Sequence, residues 1–358
     1  MASIEIIRAT TLARYGTILA GMTAVFFLSM PFWADSATQQ TLTEFFFFLA
    51  LAQIWNLLAG YGGLVSIGQQ AYIGFGSYAL VMLSLKFGLN PFIAVLVSGL
   101  IAGLLAVPTY HVLSRLQGAY FAVGTWVIAD MDRLFLANLT WLGGGSGISI
   151  TEVMQPYEEW WRDSLTFWMA VAVGIGSIAV AYFLLRSQHG LGLTAIRDSE
   201  AASESLGVDV PRLKRKVYVV AASCTGLVGA LIFMSKLRIS PDSCFSVEWS
   251  ALMIFIVVIG GIGTIEGPII GTVLYFLLRS LLADYGGVYM IVLGSIAIVT
   301  MLKMRSGVWG ALAHRYGWQL FLVQRRVQLT PTELSHGPEP GPLLDSGQEV
   351  SAVVGSRN

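Results

Sequence analysis

The residues whose types and spacing could do chemistry fall in two segments, and the first is rich in glycine. Six glycines lie within residues 60–76. Glycine weakens a continuous helix, and non-helical backbone leaves N–H and C=O groups available to a ligand. Such groups, with the ends of half-helices, can bind the ammonium and carboxylate of a zwitterionic solute. The candidate pathway residues are Asn56, Gly62, Gly63, Ser66, Gly68, Gln69 and Gln70.

Two other interpretations of this segment remain open. Small residues also allow helices to pack closely, as the spacing of Gly99 with Gly103 indicates elsewhere in the chain. Asn56, together with Gln53, could bridge helices and not line a pathway. We favour the pathway, because non-helical backbone at membrane depth is tolerated only where protein or a cavity shields it.

The second segment is a polar stretch near residue 200. Asp198 or Ser199 can cap the start of a short helix, and Gly207 can end it in a left-handed conformation. Its small residues would let a partner protein approach closely, while two acidic residues lie one turn apart. The alternative is an amphipathic connector whose basic residues only fix topology. The candidate coupling residues are Arg197, Asp198, Glu200, Ala201, Ala202, Glu204 and Gly207.

The composition excludes most soluble classes of protein. Hydrophobic residues make up 55% of the 358 residues and charged residues 12%, against roughly 25% charged in soluble domains. The formal net charge is zero, so nothing indicates a general attraction to nucleic acid. The chain is expected to work in a lipid environment.

The sequence offers no catalytic or cofactor chemistry of its own. It contains no Gly-x-x-x-x-Gly-Lys-Ser/Thr phosphate loop, no Cys or His cluster with metal-ligand spacing, and no nucleophile paired with a base. We therefore expect no cofactor, no bound metal and no enzymatic activity on this chain. Cys224 and Cys244 are expected at different depths, as free thiols.

The elements that must position these residues are long apolar runs. A helix needs about 20 residues to cross a bilayer, so the fold class is all-α, a polytopic membrane bundle of about ten spans, some short or broken by glycine. The first run is too long for a signal-peptide core and is expected to remain as an anchor. The predicted spans are residues 15–33, 42–59, 71–87, 92–113, 119–139, 165–185, 217–237, 250–265, 269–282 and 288–302.

The distribution of Lys and Arg predicts the orientation. With the N-terminus inside, the inner segments up to Arg315 hold twelve of these residues and the outer segments six, as expected for cytoplasmic loops. The chain then divides into a transmembrane domain over 1–310 with a cytoplasmic coupling loop at 187–216, an interfacial amphipathic segment over 311–326 and a disordered cytoplasmic tail over 327–358.

Ionisable residues are scarce within the predicted spans. Asp130, Asp132 and Arg133 lie in the outer half of the fifth, and Arg279 with Asp284 closes the ninth. We interpret both groups as local pairing or snorkelling near the outer surface, and not as a substrate site. Glu266, between the eighth and ninth spans, is expected to face the cytoplasm.

Several motifs together resemble a known family, the permease subunits of branched-chain amino acid ABC importers of the LivM type. Glu200-Ala-Ala with Gly207 resembles the loop by which importer permeases dock into their ATPase, with one extra residue before the glycine. Gln69-Gln70 stands where many relatives have Gly-His. The other blocks that match in order are residues 60–76, 118–122, 143–148, 259–268 and 307–310.

The resemblance implies a transport subunit in a bacterial inner membrane. Its implied partners are two ATPase subunits, a second homologous permease and a periplasmic solute-binding protein. The implied solutes are branched-chain amino acids or similar small molecules, and the alternative is a urea or amide permease of the same class. A less favoured alternative is an ion-coupled secondary transporter, which would need buried acidic or histidine relays that these spans lack.

Overall fold

The computed structural model describes residues 4–7, 25–282, 288–304, 306–316 and 326–329, and the fold is helical. Six of its helical stretches are long and apolar enough to cross a membrane, counted over these described residues: Ser36–Tyr61, Pro91–Leu113, Glu159–Arg186, Val210–Lys236, Pro241–Gly260 and Gly294–Ala313. The expected multi-helix membrane protein is therefore confirmed. Residues 15–24 of the first predicted span lie outside the described residues, and the remaining part begins with a helical turn at 25–29.

The helices are numbered here in chain order. They are α1 Ser36–Asn56, α2 Gln70–Val81, α3 Pro91–Leu113, α4 Ala119–Ala137, α5 Thr151–Met154, α6 Glu159–Arg186, α7 Gln188–Asp198, α8 Glu200–Ser205, α9 Val210–Lys236, α10 Pro241–Cys244, α11 Val247–Gly260, α12 Glu266–Leu282, α13 Val288–Lys303 and α14 Gly307–Tyr316.

Most predicted spans coincide with helices, but their ends differ. Helix α9 begins seven residues before the predicted span, because Asp209 caps it and Pro211 fits its first turn. The predicted span over 250–265 ends early, at Gly260, since Gly261 and Gly263 adopt positive φ angles of 136° and 77°. Hydrophobicity alone did not show these ends.

Helix α1 is the centre of the bundle, with α6, α9, α11 and α12 packed around it. All thirteen residues named as buried in α1 lie from Gln39 onward, and they include the polar Gln53 and Asn56. Helix α9 packs most extensively against α3 and α2. At these contacts Gly76 faces the backbone of Gly226, where an added Cβ would lie 1.9 Å from the Gly226 carbonyl oxygen. Small residues thus bring these helices together, as expected for membrane packing.

Short strands complete the fold. The strand β2 (Ile148–Ser149) pairs antiparallel with β3 (Arg238–Ile239), which joins the loop after α4 to the end of α9. A separate unit contains β1 (Ile4–Ile7), which pairs antiparallel with β4 (Arg326–Leu329). Residues 327–329 begin the segment expected to be disordered, yet they are in this strand, where pairing satisfies their backbone groups. The segment over 330–358 lies outside the described residues.

Candidate functional site

The glycine-rich segment contains non-helical backbone between the second and third predicted spans. Helix α1 continues into a π-helical turn, Leu57–Tyr61, and the chain then runs without regular structure to α2 at Gln70. Gly62 ends the π-turn, with its N–H donated to the Leu57 carbonyl, and Gly63 has a φ of 66°. Single π-turns interrupt helices frequently at functional sites.

The irregular segment after the π-turn folds back along α1. The indole Nε1 of Trp55 donates to the Ser66 carbonyl at 2.8 Å, and the Ile67 N–H donates to the Thr125 hydroxyl at 3.1 Å. Gly68 lies so close to Thr125 that a Cβ would be 2.1 Å from its carbonyl oxygen. The backbone is therefore held inside the protein, which is the condition under which such a break is tolerated in a membrane.

Gln69 and Gln70 lie at the N-terminus of α2, in the interior. The Gln69 Oε1 accepts from the Thr225 hydroxyl at 3.4 Å, and the Gln70 Oε1 accepts from the Ser250 hydroxyl. Both side chains are 1% exposed. The Gln69 Nε2 has no hydrogen-bond partner among the described residues. A helix N-terminus and a spare N–H donor favour a carboxylate or carbonyl oxygen nearby.

Gln53 is a second buried amide with spare capacity. Its side chain is fully buried in α1, and neither Oε1 nor Nε2 has a partner in the described part of the chain. An unpaired buried amide costs roughly 1–3 kcal/mol, so it needs a ligand or water to be tolerated. The sequence leaves Gln53 either to line a pathway or to bridge helices, and the absence of a partner for its amide among the described residues favours the pathway.

Asn56 bridges two elements that are far apart in sequence. Its Nδ2 donates to the Thr264 carbonyl, and its Oδ1 accepts from the Gly263 N–H, each at 2.8 Å. Both amide groups are thereby used within the protein. Asn56 therefore joins α1 to the loop between α11 and α12, and its place in a pathway stays a prediction.

Three glycine-containing blocks of the sequence meet beside Asn56. A Cβ at Gly60 would lie 2.4 Å from the Asn56 Oδ1 and 2.7 Å from the Gly263 nitrogen. A Cβ at Gly307, whose φ is 72°, would lie 2.5 Å from the Gly261 Cα. We call this contact the glycine junction, formed by Gly60, Gly261, Gly263 and Gly307. Glu266, at the start of α12, is buried and lies three residues after Gly263 of the glycine junction.

Arg197 connects the coupling segment to the glycine junction. Its Nη1 donates to the Gly60 carbonyl at 3.4 Å, and its Nε lies 3.5 Å from the Asp198 carboxylate. The same Nη1 would lie 3.0 Å from a Cβ at Gly263. Within the described residues, Arg197 is the predicted coupling residue that hydrogen-bonds to the glycine-rich segment.

The short helix near residue 200 forms with the expected caps. The Ser199 hydroxyl accepts from the Ala202 N–H at 3.3 Å, which selects Ser199 over Asp198 as the cap of α8. Gly207 ends the turn with a φ of 84°. On α8 itself, Ala201, Ala202 and Glu204 are exposed, and Leu206, just after the helix, is 82% exposed.

The base of α8 is fixed to α9 by one ion pair. Glu200 Oε2 lies 2.7 Å from Lys214 Nζ, and Ser203 is buried beneath the helix. The exposed alanines therefore form a small, supported surface.

The opposite end of α1 carries charged groups, of which the sequence analysis singled out Arg279 but not Glu44 or Lys236. Glu44 Oε2 lies 2.7 Å from Arg279 Nη1, and Lys236 Nζ lies 5.0 Å from the Trp249 ring centroid. The expected partner of Arg279 was Asp284, which lies outside the described residues. Glu44 is the one acidic residue of the predicted span over 42–59, and that isolation was the available signal. The local pairing expected for Arg133 is confirmed, at 2.8 Å from Asp130.

Two adjoining cavities open at this end, with volumes of about 220 and 580 Å³. We call them the Glu44 cavities. They share Glu44, Phe47, Ser235 and Lys236 in their linings. Gln39 lines the smaller cavity, is buried, and has an Nε2 without a partner among the described residues. The lining can therefore bind both ammonium and carboxylate groups.

Comparisons with known proteins agree on one family. The family model described as "Branched-chain amino acid transport system / permease component" matches residues 37–304. The chain is 25% identical over 307 residues to the high-affinity branched-chain amino acid transport system permease protein LivM of Escherichia coli, and 24% identical to the LivM of Salmonella typhimurium. Each alignment covers 78% of this chain and 72% of the relative.

A more distant relative gives the same result. The probable branched-chain amino acid transport permease protein LivM of Methanocaldococcus jannaschii is 22% identical over 173 residues, which covers 48% of this chain and 50% of that protein. No solved structure matches the chain.

Proposed function

Because the chain belongs to the family of permease components of branched-chain amino acid transport systems, we propose that it forms the membrane pathway through which an ATP-driven importer carries branched-chain amino acids or similar small solutes. It is a multi-pass transport subunit and not an enzyme. The observation that supports a pathway within this chain is the irregular segment between α1 and α2, which leaves the α2 N-terminus and the spare Gln69 donor in the protein interior.

The proposed route runs along α1 from the Glu44 cavities to the glycine junction. A zwitterionic solute would first meet the mixed charges of Glu44, Lys236 and Arg279. Its carboxylate would next be favoured at Gln69, by the helix N-terminus and the free amide N–H. Gln53, on α1 between the two ends, offers both a donor and an acceptor. The tight glycine junction would close the route at the far end.

The coupling mechanism is mechanical. A partner ATPase that binds the exposed Ala201 and Ala202 would push or release α8, and Arg197 carries the hydrogen bond from this region to Gly60. Since the glycine junction has no room for an added Cβ, it can change only by moving whole segments. Nucleotide-driven movement at α8 would therefore open or close the inner end of the route.

The arrangement in the membrane follows the distribution of basic residues. We place the N-terminus and the α8 region in the cytoplasm and the Glu44 cavities on the periplasmic side of a bacterial inner membrane, with about ten spans in all. Helices α1, α3, α6 and α11 run from the Glu44 end towards the Arg197 end, and α9 and α12 run in the opposite direction, which supports this order. Two ATPase subunits, a second permease and a periplasmic binding protein complete the proposed importer.

The experiment that tests this function is uptake by the reconstituted importer. Replacement of Ala202 by Trp should abolish ATP-dependent leucine uptake, because the indole would keep the ATPase from the α8 surface. The control is Ala119→Trp, the same change at an exposed alanine at the start of α4. Both variants should reach the membrane at the level of the unchanged protein. Normal uptake in the Ala202→Trp variant would refute the role of α8.

The solute is identified in a separate measurement. Uptake of labelled leucine, isoleucine and valine is compared with uptake of urea in the same vesicles, with the binding protein of the system present. We expect competition among the three amino acids and none from urea. If none of the three amino acids is taken up, the proposal is restricted to another small solute.

A further inference from the structure

Three adjoining hollows surround the first turns of α9, at the Arg197 end of the bundle. Their volumes are about 440, 420 and 510 Å³. The first two share Val107 and Arg215, and the first and third share His189 and Lys216. The hollows therefore form one continuous depression between α3, α6, α7 and α9, which we call the basic depression.

The basic depression carries positive charge with little compensation. Its lining includes Arg212, Arg215 and Lys216, and its one acidic residue, Asp209, pairs with Arg212 at 3.0 Å. Within the described part of the chain, neither Arg215 nor Lys216 has a carboxylate within 4.0 Å; the Lys216 Nζ lies 3.3 Å from the His189 ring. Two cations are thus left to attract an anion.

The floor of the depression is apolar and faces sideways, away from the bundle. Val107 is 42% exposed and continues the exposed face of α3 that includes Leu100 and Leu104. Val219 and Val220 line the same hollow one turn further along α9. Val107 is exposed and Val219 and Val220 are partly exposed, on an apolar surface that the bilayer would cover in the proposed orientation. The exposed alanines of α8 line none of the three hollows.

We propose that the basic depression binds an anionic phospholipid of the cytoplasmic leaflet, with its phosphate at Arg215 and Lys216 and its first acyl carbons against Val107 and Val220. Basic residues beside apolar membrane-facing helices are the chemistry that binds acidic headgroups. Charge that only fixed topology would need no hollow and no apolar floor beneath it. The proposal uses the orientation given above but does not depend on the transported solute.

The test is lipid binding by the full chain, purified with the subunits that accompany it and placed in phosphatidylcholine nanodiscs with added phosphatidylglycerol. The double variant Arg215→Gln, Lys216→Gln should bind phosphatidylglycerol roughly thirtyfold more weakly, since each basic side chain near anionic lipid contributes roughly fivefold. Native mass spectrometry counts the bound lipids. The matched control is Arg115→Gln, Arg186→Gln, which removes two exposed cations from the same end but touches none of the hollows.

A second variant keeps the charges and fills the floor. Val220→Trp should reduce phosphatidylglycerol binding while topology and net charge stay unchanged. Equal lipid binding by the unchanged protein, the double variant and Val220→Trp would overturn the proposal. It would also be overturned if the double variant lost its ATPase subunit and kept its lipid, because the cations would then serve a protein contact. Uptake is not the readout, so failure here leaves the proposed transport function standing.

Discussion

The two ends of helix α1 differ in how their neighbours meet. At the Glu44 end, charged side chains from six helices meet around open cavities, and the Glu44 and Arg279 side chains are 44% and 43% exposed. At the Asn56 end, backbone segments meet directly, through glycines that leave no space for a methyl group. The first arrangement tolerates changes in spacing, while the second allows only discrete rearrangements. A pathway that admits solute at one end and is switched at the other needs this difference.

The largest effect is expected from closing the space at the glycine junction. Gly60→Ala places a Cβ 2.4 Å from the Asn56 Oδ1, so the bridge to Gly263 must break or the π-turn must move. We expect a loss of about 3 kcal/mol in stability, with overpacking and a lost hydrogen bond combined, and loss of uptake. Thermal unfolding in detergent measures the first effect.

The control for this variant is another glycine in a helix. Gly176→Ala in α6 meets no atom within 4 Å, so it should be neutral or slightly stabilising. If Gly60→Ala had the same melting temperature and uptake as Gly176→Ala, the Asn56 end would have space for a methyl group. The contrast between the two ends would then be wrong.

A somewhat smaller effect is expected from removing the bridge itself. Asn56→Leu has similar volume but leaves the Gly263 N–H and the Thr264 carbonyl without their partner, at a cost of about 1–3 kcal/mol. Uptake should fall along with stability, because Gly263 positions the junction. Asn138→Leu is the comparison, since the Asn138 amide bonds only the exposed carbonyl of Leu134 in the same helix. Equal melting temperatures for the two variants would contradict the bridge.

Gln53 lies between the two ends of α1, and a substitution there distinguishes a structural role from a role in transport. Gln53→Leu removes an unpaired buried amide, so we expect a gain of about 1 kcal/mol in stability together with reduced uptake. A structural amide satisfied by neighbours would give the reverse, a less stable protein. Unchanged uptake in a folded Gln53→Leu variant would exclude this amide from the route.

The smallest effect on stability is expected at the Glu44 end. Because the ion pair between Glu44 and Arg279 is partly exposed, a double-mutant cycle with Glu44→Gln and Arg279→Gln should give a coupling free energy below about 1 kcal/mol. The solute concentration that gives half-maximal uptake should rise in each single variant, and this rise should depend on ionic strength. A coupling energy as large as that of the Asn56 bridge would mean that the two ends are held alike.

Local signals in the sequence predicted the local parts of the site. The glycines of 60–76 predicted the break before α2, and Ser199 with Gly207 predicted the caps of α8, because both depend on neighbours in the chain. The bonds from Asn56 to Gly263 and from Glu44 to Arg279 span more than 200 residues. A single sequence does not show which distant positions are in contact. The Asn56 bridge, the Glu44–Arg279 ion pair and the cavities could therefore be found only from the three-dimensional structure. The roles assigned to the pathway and coupling residues remain predictions.

Helix α9 has a further consequence for how the molecule reports its state. It runs unbroken from Val210 to Lys236, about 40 Å at the usual rise, and its one proline sits in the first turn, where it causes no kink. Near one end, Lys214 forms an ion pair with Glu200. Just past the other end, β3 pairs with β2 at Ile148. In the proposed orientation α9 would be a rigid connection between the cytoplasmic α8 region and the periplasmic pair β2–β3. If a nucleotide cycle tilted the first turn of α9, the loop after α4 would shift as well, and a protein bound to that loop would respond without any solute in transit.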